Sequence, residues 1–295
     1  MATLLEKGTL FSEELVKDLF NKVAGHSSLA KLGGSTPVSF VGNEIFTFNM
    51  DDEIEIVAEG GKKSAGNATV EPVKIAPVKV VYQTRVSDEF LYASEEKKLE
   101  ILKAFNEGYA KKVARGLDIM AFHGVNPRTN EASAIIADNC FDKLEGITKV
   151  EFDAAQIEQN IEDAIAAVSE AYDVTGMAMA RPFSSALASL TVNGVKQYPE
   201  LGWGANPGTV KGLAVDVNST VNFSNSKDRA IVGDFKNAFK WGYAKQIPLE
   251  VIQYGDPDQT GKDLKAYNQV CLRAETYIGW GILDASAFAR ITDEA

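Results

Sequence analysis

The first regular pattern of apolar and polar positions, residues 12–25, predicts an amphipathic helix. Ser12 is suited to cap its N-terminus and Gly25 to end it. The apolar residues recur every three or four positions and form one stripe, which consists of Leu15, Val16, Leu19, Phe20 and Val23. Two interpretations remain open: the stripe packs on the protein's own core, or the segment is an arm that lies on a neighbouring subunit.

Between residues 44 and 86 apolar positions alternate with polar ones, which is the period of β-strands. A polar, glycine-rich segment, residues 59–67, separates two such runs, so we predict a long β-hairpin with this segment at its tip. A two-stranded ribbon is at best marginally stable alone in water. The hairpin therefore either packs on its own domain or reaches another chain.

Residues 94–125 carry the strongest helical pattern in the chain. Apolar residues recur at steps of three and four, Glu95 and Glu96 fall in the first turn, and Gly124 and Pro127 mark the end. With a rise of about 1.5 Å per residue, this helix is roughly 45 Å long, which exceeds what most single domains require. We expect it to serve as a structural beam.

The rest of the chain mixes short strands and helices. One helix is predicted to begin at Asp153, with Gln156 in a capping box, and another to span residues 184–190. Residues 194–212 form a long loop rich in Gly and Pro. Strands are predicted over residues 177–180, 213–217, 230–234, 240–244, 249–254 and 268–282. Because these elements intermix without a regular βαβ alternation, the predicted fold class is α+β.

Composition narrows the range of functions. The chain has 295 residues, of which 45% are hydrophobic, so it can bury a core without disulfides or metals. No run approaches the roughly 20 apolar residues that a membrane-spanning helix needs. A formal net charge of −11 disfavours tight binding to nucleic acid or to an anionic membrane. The N-terminus lacks a signal-peptide pattern, so we expect a reducing cytoplasm.

Reactive residues are scarce. The chain has two His and two Cys, far apart and without paired ligand spacing, which disfavours a zinc site. Cys140 and Cys271 are expected to be small buried apolar groups. His123 lies near a helix C-terminus, where the helix dipole favours it without any catalytic role.

Several chemical motifs begin but fail at an essential position. A Gly-Trp-Gly segment is followed by Pro207 where a dinucleotide fingerprint needs glycine, and a Gly-Lys pair is followed by Asp263 instead of Ser or Thr. The half calcium loop that begins at Asp256 has Tyr267 at its closing position, which cannot supply a carboxylate. We therefore expect no catalytic, cofactor or metal site, and we interpret the calcium-like segment as a solvated acidic turn.

The order of these elements resembles the major capsid proteins of tailed bacteriophages, which have the Hong Kong 97-type capsid fold. No single motif is specific, and the signal is their order over nearly the whole chain. The stretches that carry the resemblance are residues 58–60 and Ser64 at the hairpin tip, 73–77, 86–91, the helix end at 117–124, a Gly-Asp-Phe strand at 231–235, 268–275 and 284–289.

The resemblance implies a structural protein that is not an enzyme. Many copies would assemble as pentamers and hexamers into the icosahedral shell of a virion, enclosing phage double-stranded DNA, with assembly in the host cytoplasm. It also implies that the chain divides into four parts, which are an N-terminal arm over 1–36, an extended hairpin over 37–88, a peripheral domain with the spine helix over 89–150 and 251–283, and an axial domain over 151–250 and 284–295.

The resemblance also implies contacts and partners. Inter-subunit contacts are expected from the arm and the hairpin tip, at Phe11, Leu15, Leu19, Phe20, Glu59, Gly60, Gly61, Lys62 and Lys63. The long loop is expected at a symmetry axis, with Tyr198, Pro199, Trp203 and Asn206.

The expected partners are further copies of the chain, a scaffolding protein and a portal protein. The scaffolding protein is expected to be a separate chain, since the arm begins almost at Met1. DNA would be enclosed without sequence-specific binding, and no cofactor or membrane is expected. Ordinary surface roles for the two tip lysines are favoured over covalent cross-linking.

Two alternatives to a phage shell protein remain open. An encapsulin-like bacterial compartment would use the same fold to enclose a cargo enzyme instead of a genome. From a different class, the chain could be a soluble acidic α+β enzyme or binding protein, although it lacks an intact catalytic or phosphate-binding motif.

Overall fold

The computed structural model describes residues 22–23, 25–50, 55–63, 65 and 68–293. Residues 22, 23, 25 and 26 are helical, so helical backbone extends to residue 26, one residue beyond the predicted helix end at Gly25. The candidate contact residues of the arm lie outside the described residues and stay a prediction; they are Phe11, Leu15, Leu19 and Phe20.

A short, well-capped helix, Ser28–Leu32 (α1), follows. Ser27 Oγ accepts a hydrogen bond from the backbone N–H of Ala30 at 3.0 Å, as an N-cap residue does. The two-residue strand Gly34–Ser35 (β1) comes next and pairs in parallel with a later strand. The N-terminal segment is thereby attached to the body of the subunit.

The predicted hairpin is confirmed over residues 43–75, whereas residues 78–87, which show the same alternation, pair with a later strand in another sheet. Asn43–Met50 (β2) and Ala68–Ile75 (β3) pair antiparallel along their full lengths. Ile75, at the base, is completely buried. A Cβ on Gly281 would lie 2.8 Å from Ile75 Cγ1, so the glycine is what lets Ile75 pack closely on the sheet behind it.

The predicted long helix is also confirmed, as Glu95–His123 (α3). Its N-cap is Ser94, whose Oγ accepts a hydrogen bond from the N–H of Lys97. It ends at Gly124, which has φ +65° and whose N–H donates to Met120 O at 2.9 Å. The first turns are mostly exposed, whereas most residues from 109 onward are buried. A one-turn helix, Glu89–Tyr92 (α2), precedes it.

Four strands form the first sheet. In spatial order they are β1, Phe239–Ile252 (β12), Gln269–Ile282 (β13) and Val78–Ser87 (β4). The separate strands predicted over residues 240–244 and 249–254 are wrong, because β12 is one continuous strand. Bulges after Tyr243 and after Ile247 interrupt the regular pattern without ending its pairing to β13.

Six strands form the second, mixed sheet. In spatial order they are Thr148–Glu151 (β5), Phe288–Thr292 (β14), Asp228–Gly233 (β11), Gly176–Met179 (β6), Leu213–Val217 (β10) and Thr209–Val210 (β9). The pairs β5–β14 and β6–β10 are parallel and the others antiparallel. Helices are interspersed with these strands, as the predicted α+β class requires.

The helix predicted from Asp153 begins later, as Ile157–Ser169 (α4), so the predicted start is wrong. The carboxylate of Asp153 accepts from the N–H of Ala155 at 2.8 Å, and Asn160 Oδ1 accepts from the N–H of Asp153. These bonds hold the segment in a turn instead of a first helical turn. Gln156 makes no side-chain capping bond.

The next helix, Arg181–Ser189 (α5), begins three residues before the predicted start at residue 184. A proline in its first turn suits a helix N-terminus, which the periodicity of apolar residues did not reveal. The predicted loop over residues 194–212 contains regular structure as well. Its elements, with the strand before it, are Thr191–Val192 (β7), Val195–Lys196 (β8), a 3₁₀ helix at Pro199–Gly204, and β9.

An aromatic cluster joins the end of α3 to both sheets. Phe141 lies at its centre, with its ring centroid 5.0 Å from that of Phe288 in an edge-on contact. The other rings around it are those of Phe122, Phe235 and Phe239. All five side chains are completely buried, and a short helix, Phe235–Ala238 (α6), contributes to the cluster.

Candidate assembly surfaces

The tip of the hairpin is exposed. The five predicted contact residues there, Glu59 to Lys63, all face solvent. Gly60 has φ +82°, a value that favours glycine, and the N–H of Gly61 donates to Ala58 O at 2.8 Å to close the turn. Residues 64, 66 and 67 of the predicted tip lie outside the described residues.

Large apolar side chains on the hairpin are also uncovered. Ile56, beside the tip, is 98% exposed, and Phe46 on β2 is 62% exposed. Full burial of one such side chain stabilises a protein or a complex by roughly 1.5–3 kcal/mol. The hairpin therefore carries apolar surface that the rest of the described subunit does not cover.

The long loop is anchored at its base by Tyr198. This side chain is buried, its hydroxyl donates to Glu158 Oε1 at 2.5 Å, and it accepts from Lys211 Nζ at 2.7 Å. The Lys211 ammonium also lies 4.5 Å from the centroid of the Tyr198 ring. Burial and the Glu158 carboxylate raise the pKa of Tyr198, so the phenol stays a hydrogen-bond donor.

Of the other three predicted loop residues, Asn206 attaches the loop to the sheet, whereas Trp203 and Pro199 are exposed to solvent. Asn206 donates to Asp216 Oδ1 at 2.8 Å and accepts from the N–H of Val217, so it fastens the loop to β10. Trp203 is fully exposed and has φ +61°, and Pro199 is exposed at the start of the 3₁₀ helix. The loop thus presents an uncovered indole from a fixed base.

A buried carboxylate on α3, which the sequence analysis missed, holds the N-terminal segment. Asp118 is completely buried. It accepts hydrogen bonds from Ser27 Oγ (2.5 Å), Ser28 N (3.0 Å), Leu29 N (3.2 Å), Asn218 Nδ2 (3.2 Å) and Thr220 Oγ1 (2.9 Å). Burial raises the pKa of Asp118 to about 6, although these hydrogen bonds work in the opposite direction.

A second carboxylate, Asp216 on β10, lies on the other side of the same segment. It accepts from Ser28 Oγ at 2.5 Å, from Lys31 Nζ at 2.8 Å and from Asn206. Burial works to raise the pKa of Asp216, but the hydrogen bonds from Lys31, Ser28 and Asn206 outweigh it and lower the pKa. Through Asp216, α1 and the exposed loop are fixed to one strand.

The acidic turn after β12 is held by Arg85 of β4. The Arg85 guanidinium donates to Asp258, at 2.9 Å from Nε to Oδ2, and to Asp256. The Asp256 carboxylate also accepts from the N–H groups of Thr260 and Gly261, so its oxygens are occupied by protein donors. Within the described ranges, no group of three or more His, Cys, Asp or Glu is arranged to hold a metal ion.

Cys140 and Cys271 are buried free cysteines, as predicted. In the part of the chain that the structure describes, no helix combines the length and the apolar character needed to cross a bilayer.

Comparison with known proteins connects these surfaces to a class of protein. The Phage capsid family matches residues 7–293. A solved structure from Mycobacterium phage Ogopogo is 32% identical, with a TM-score of 0.74 over 90% of this chain and 92% of that chain. One from Gordonia phage Cozz is 24% identical, with a TM-score of 0.74 over 90% and 86% of the two chains. A comparison with curated proteins finds no match.

Capsids of GTA particles share the fold as well. The capsid of an empty GTA particle computed with C5 symmetry is 14% identical, with a TM-score of 0.64 over 92% of this chain and 90% of that chain. The protein is therefore a non-enzymatic shell subunit, which assembles with its own copies as pentamers and hexamers. The chain belongs to the Phage capsid family, and it is a major capsid protein located in the virion. The family match decides against the alternative of a soluble enzyme or binding protein.

Proposed function

We propose that this capsid subunit builds its shell by laying the hairpin, with tip residues 59–63, on an adjacent copy. The observation that carries the proposal is the uncovered apolar surface of the hairpin, where Ile56 beside the tip is 98% exposed and Phe46 on β2 is 62% exposed. The buried Ile75 fixes the base of the hairpin to its own sheet, so the ribbon is attached at one end only among the described contacts. A neighbouring copy supplies the missing cover.

The loop over residues 194–212 is proposed to lie at a symmetry axis of the pentamer or hexamer. Its support is the exposed Trp203 on a base fixed by Tyr198 and Asn206. A pre-ordered loop loses little conformational freedom when it binds, so an exposed indole there is suited to an interface.

The division of the chain into an arm, a hairpin, a peripheral and an axial domain remains part of the proposal. Strand β12 passes residue 250 without a break and pairs with β13 to its end at Ile252. This pairing favours a boundary between the axial and peripheral domains near Ala238, where β12 begins, instead of at residue 250.

We further propose that the shell encloses double-stranded DNA without sequence-specific binding and is assembled in the host cytoplasm. The net charge of −11 supports this, because an acidic subunit does not bind a polyanion tightly along its wall. A separate scaffolding protein and a portal protein are the proposed partners, since a closed shell needs a defined size and an entrance for DNA.

The hairpin proposal is tested with Ile56→Ser. We expect the fraction of subunits in closed particles to fall about tenfold, because each lost apolar contact weakens association by roughly 1.5 kcal/mol or more. The measurement is size-exclusion chromatography with negative-stain microscopy, and circular dichroism should be unchanged. Deletion of residues 60–67 should have the same effect in a stronger form.

Ile135→Ser is the matched control, because Ile135 is 79% exposed but lies outside the hairpin. It should assemble normally. Normal assembly of Ile56→Ser, or an equal loss with Ile135→Ser, would contradict the proposed role of the hairpin.

A further inference from the structure

His123, the last residue of the spine helix α3, lies at a junction of three segments. Its side chain is 5% exposed. The ring Nδ1 is 2.8 Å from Asp142 Oδ2, and the ring Nε2 is 2.8 Å from the backbone oxygen of Thr220. Asp142 lies 19 residues beyond His123, at the end of an irregular segment, and Thr220 lies in the loop that connects β10 to β11. The imidazole therefore bridges two segments that are distant in sequence.

Both ring nitrogens face acceptors. The Thr220 carbonyl oxygen cannot donate, so Nε2 must carry a proton. A neutral imidazole with its proton on Nε2 would point the Nδ1 lone pair at the Asp142 carboxylate, an arrangement that is repulsive at 2.8 Å. Only a doubly protonated imidazolium donates to both partners.

The charges around the ring are balanced when His123 is protonated. Arg290 of β14 contacts the other oxygen of the Asp142 carboxylate, with 2.8 Å between its Nη2 and Asp142 Oδ1. It also forms a bidentate ion pair with the fully buried Asp228 of β11. Burial raises the pKa of Asp228 to about 6, so above that pH the cluster holds two cations and two anions. Asp118, one helical turn and a residue earlier on α3, faces the Thr220 hydroxyl from the same helix.

We propose that His123 is a protonated, doubly donating clamp that holds the loop of residues 218–225 to the spine helix and releases it at alkaline pH. The same loop is tied to α3 through Thr220 and Asp118, and Arg115 of α3 packs on the ring of Phe223. Loss of the His123 proton removes one of these ties, because the neutral ring keeps its remaining proton on Nδ1, which faces the charged Asp142, and Nε2 then turns a lone pair towards the Thr220 carbonyl. It also leaves Arg290 alone against the carboxylates of Asp142 and Asp228, so the cluster has a net negative charge. This inference concerns the subunit itself and stands independently of the proposed hairpin and loop contacts.

The direction of the pH dependence follows from the surroundings of the ring. Burial works to lower the pKa of His123, but the hydrogen bond and charge of Asp142 and the Thr220 carbonyl outweigh it and raise the pKa above 6.5. Since the folded state holds the proton more tightly than the unfolded chain, the clamp is fully present below pH 6.5. It is lost as the pH rises through the raised value.

The charge state is tested directly by solid-state NMR of assembled particles labelled at histidine. The chain has two histidines, and His26→Gln leaves His123 as the sole signal. We expect ring nitrogen shifts of an imidazolium at neutral pH, and a neutral ring only at a clearly higher pH. A neutral His123 ring at pH 7 overturns the proposal.

The release is tested by hydrogen exchange of the segment 218–226, corrected for the intrinsic effect of pH. Protection should fall at least tenfold between about pH 7 and about pH 9, a range above the pKa of Asp118, and equally in His26→Gln, because His26 is exposed. In Asp142→Asn the amide can donate to Nδ1 of a neutral ring while its oxygen still accepts from Arg290, so protection should be insensitive to pH. Protection that stays constant in the wild-type protein, or that falls alike in Asp142→Asn, refutes the clamp.

Discussion

At the scale of single residues, two carboxylates hold one short helix with opposite consequences for their protonation. Asp118 is met only by neutral donors and is fully buried, so its pKa is raised to about 6 by desolvation. Asp216 is paired with the Lys31 ammonium, so its pKa is lowered despite burial. Both carboxylates accept several hydrogen bonds, but only Asp216 accepts one from a cation, and Asp118 is the more completely buried of the two.

Asp118→Asn should therefore change the pH dependence of stability. The folded state takes up the Asp118 proton more readily than the unfolded chain, so this contribution is present below pH 3.8 and is lost as the pH rises through about 6. An amide cannot accept from both rigid N–H groups of Ser28 and Leu29, so the variant should be about 2 kcal/mol less stable near pH 5. Between about pH 5 and about pH 7 that deficit should shrink, because only the wild-type protein loses the proton.

The measurement is urea unfolding of the purified protein across this pH range. Asp216→Asn is the control: its lowered pKa lies below the range, so its deficit should stay constant from about pH 5 to about pH 7. A deficit in Asp118→Asn that is constant or grows with pH would show that Asp118 is already ionised at the low end.

At the scale of elements, the sequence predicts best where one local pattern decides. Alternation and a glycine-rich tip predict the hairpin, and regular apolar spacing with Ser94 and Gly124 at its ends predicts α3. The start of α4 is mispredicted because the Asp153 side chain forms a local turn that looks like a capping box. Ser27 and Asp118 are 91 residues apart, and no local pattern links them. The one available signal is a carboxylate inside the otherwise apolar run from 117 to 122.

The spine helix contains a position where its stability can be raised. Gly108 lies in the exposed part of α3, and a Cβ there would meet no atom within 4 Å. Gly108→Ala should raise the free energy of unfolding by about 0.5–1 kcal/mol, since alanine favours the helix and restricts the unfolded chain. Urea unfolding measures the change. Gly242→Ala is the control: its Cβ would overlap the backbone oxygen of Thr36, so this variant should be less stable than the wild-type protein. If Gly108→Ala also lowered the free energy of unfolding, α3 would not be a regular helix at residue 108.

At the scale of the whole molecule, the described subunit is well packed inside and incomplete outside. The core residues of both sheets and α3 are buried, whereas large apolar side chains remain exposed at separate places, which include Ile56 and Trp203. Such surface is expected of a protein whose stable state is an assembly of its own copies. The arrangement of copies in the shell decides which of these residues bind a neighbour. No local sequence pattern of the single chain predicts that arrangement.

Trp203→Ala tests the proposed position of the long loop at a symmetry axis. The indole is fully exposed in the subunit, so its removal should leave circular dichroism and urea unfolding unchanged. If the rings of several copies pack together, loss of about 1–2 kcal/mol per copy should raise the concentration needed for assembly at least several-fold. Light scattering against protein concentration measures this threshold.

Tyr92→Ala is the control, because Tyr92 is an 80% exposed aromatic residue on α2, away from the loop. An unchanged threshold in Trp203→Ala would remove the indole from the assembly interface, and an equal rise in Tyr92→Ala would show that the effect is not specific to the loop.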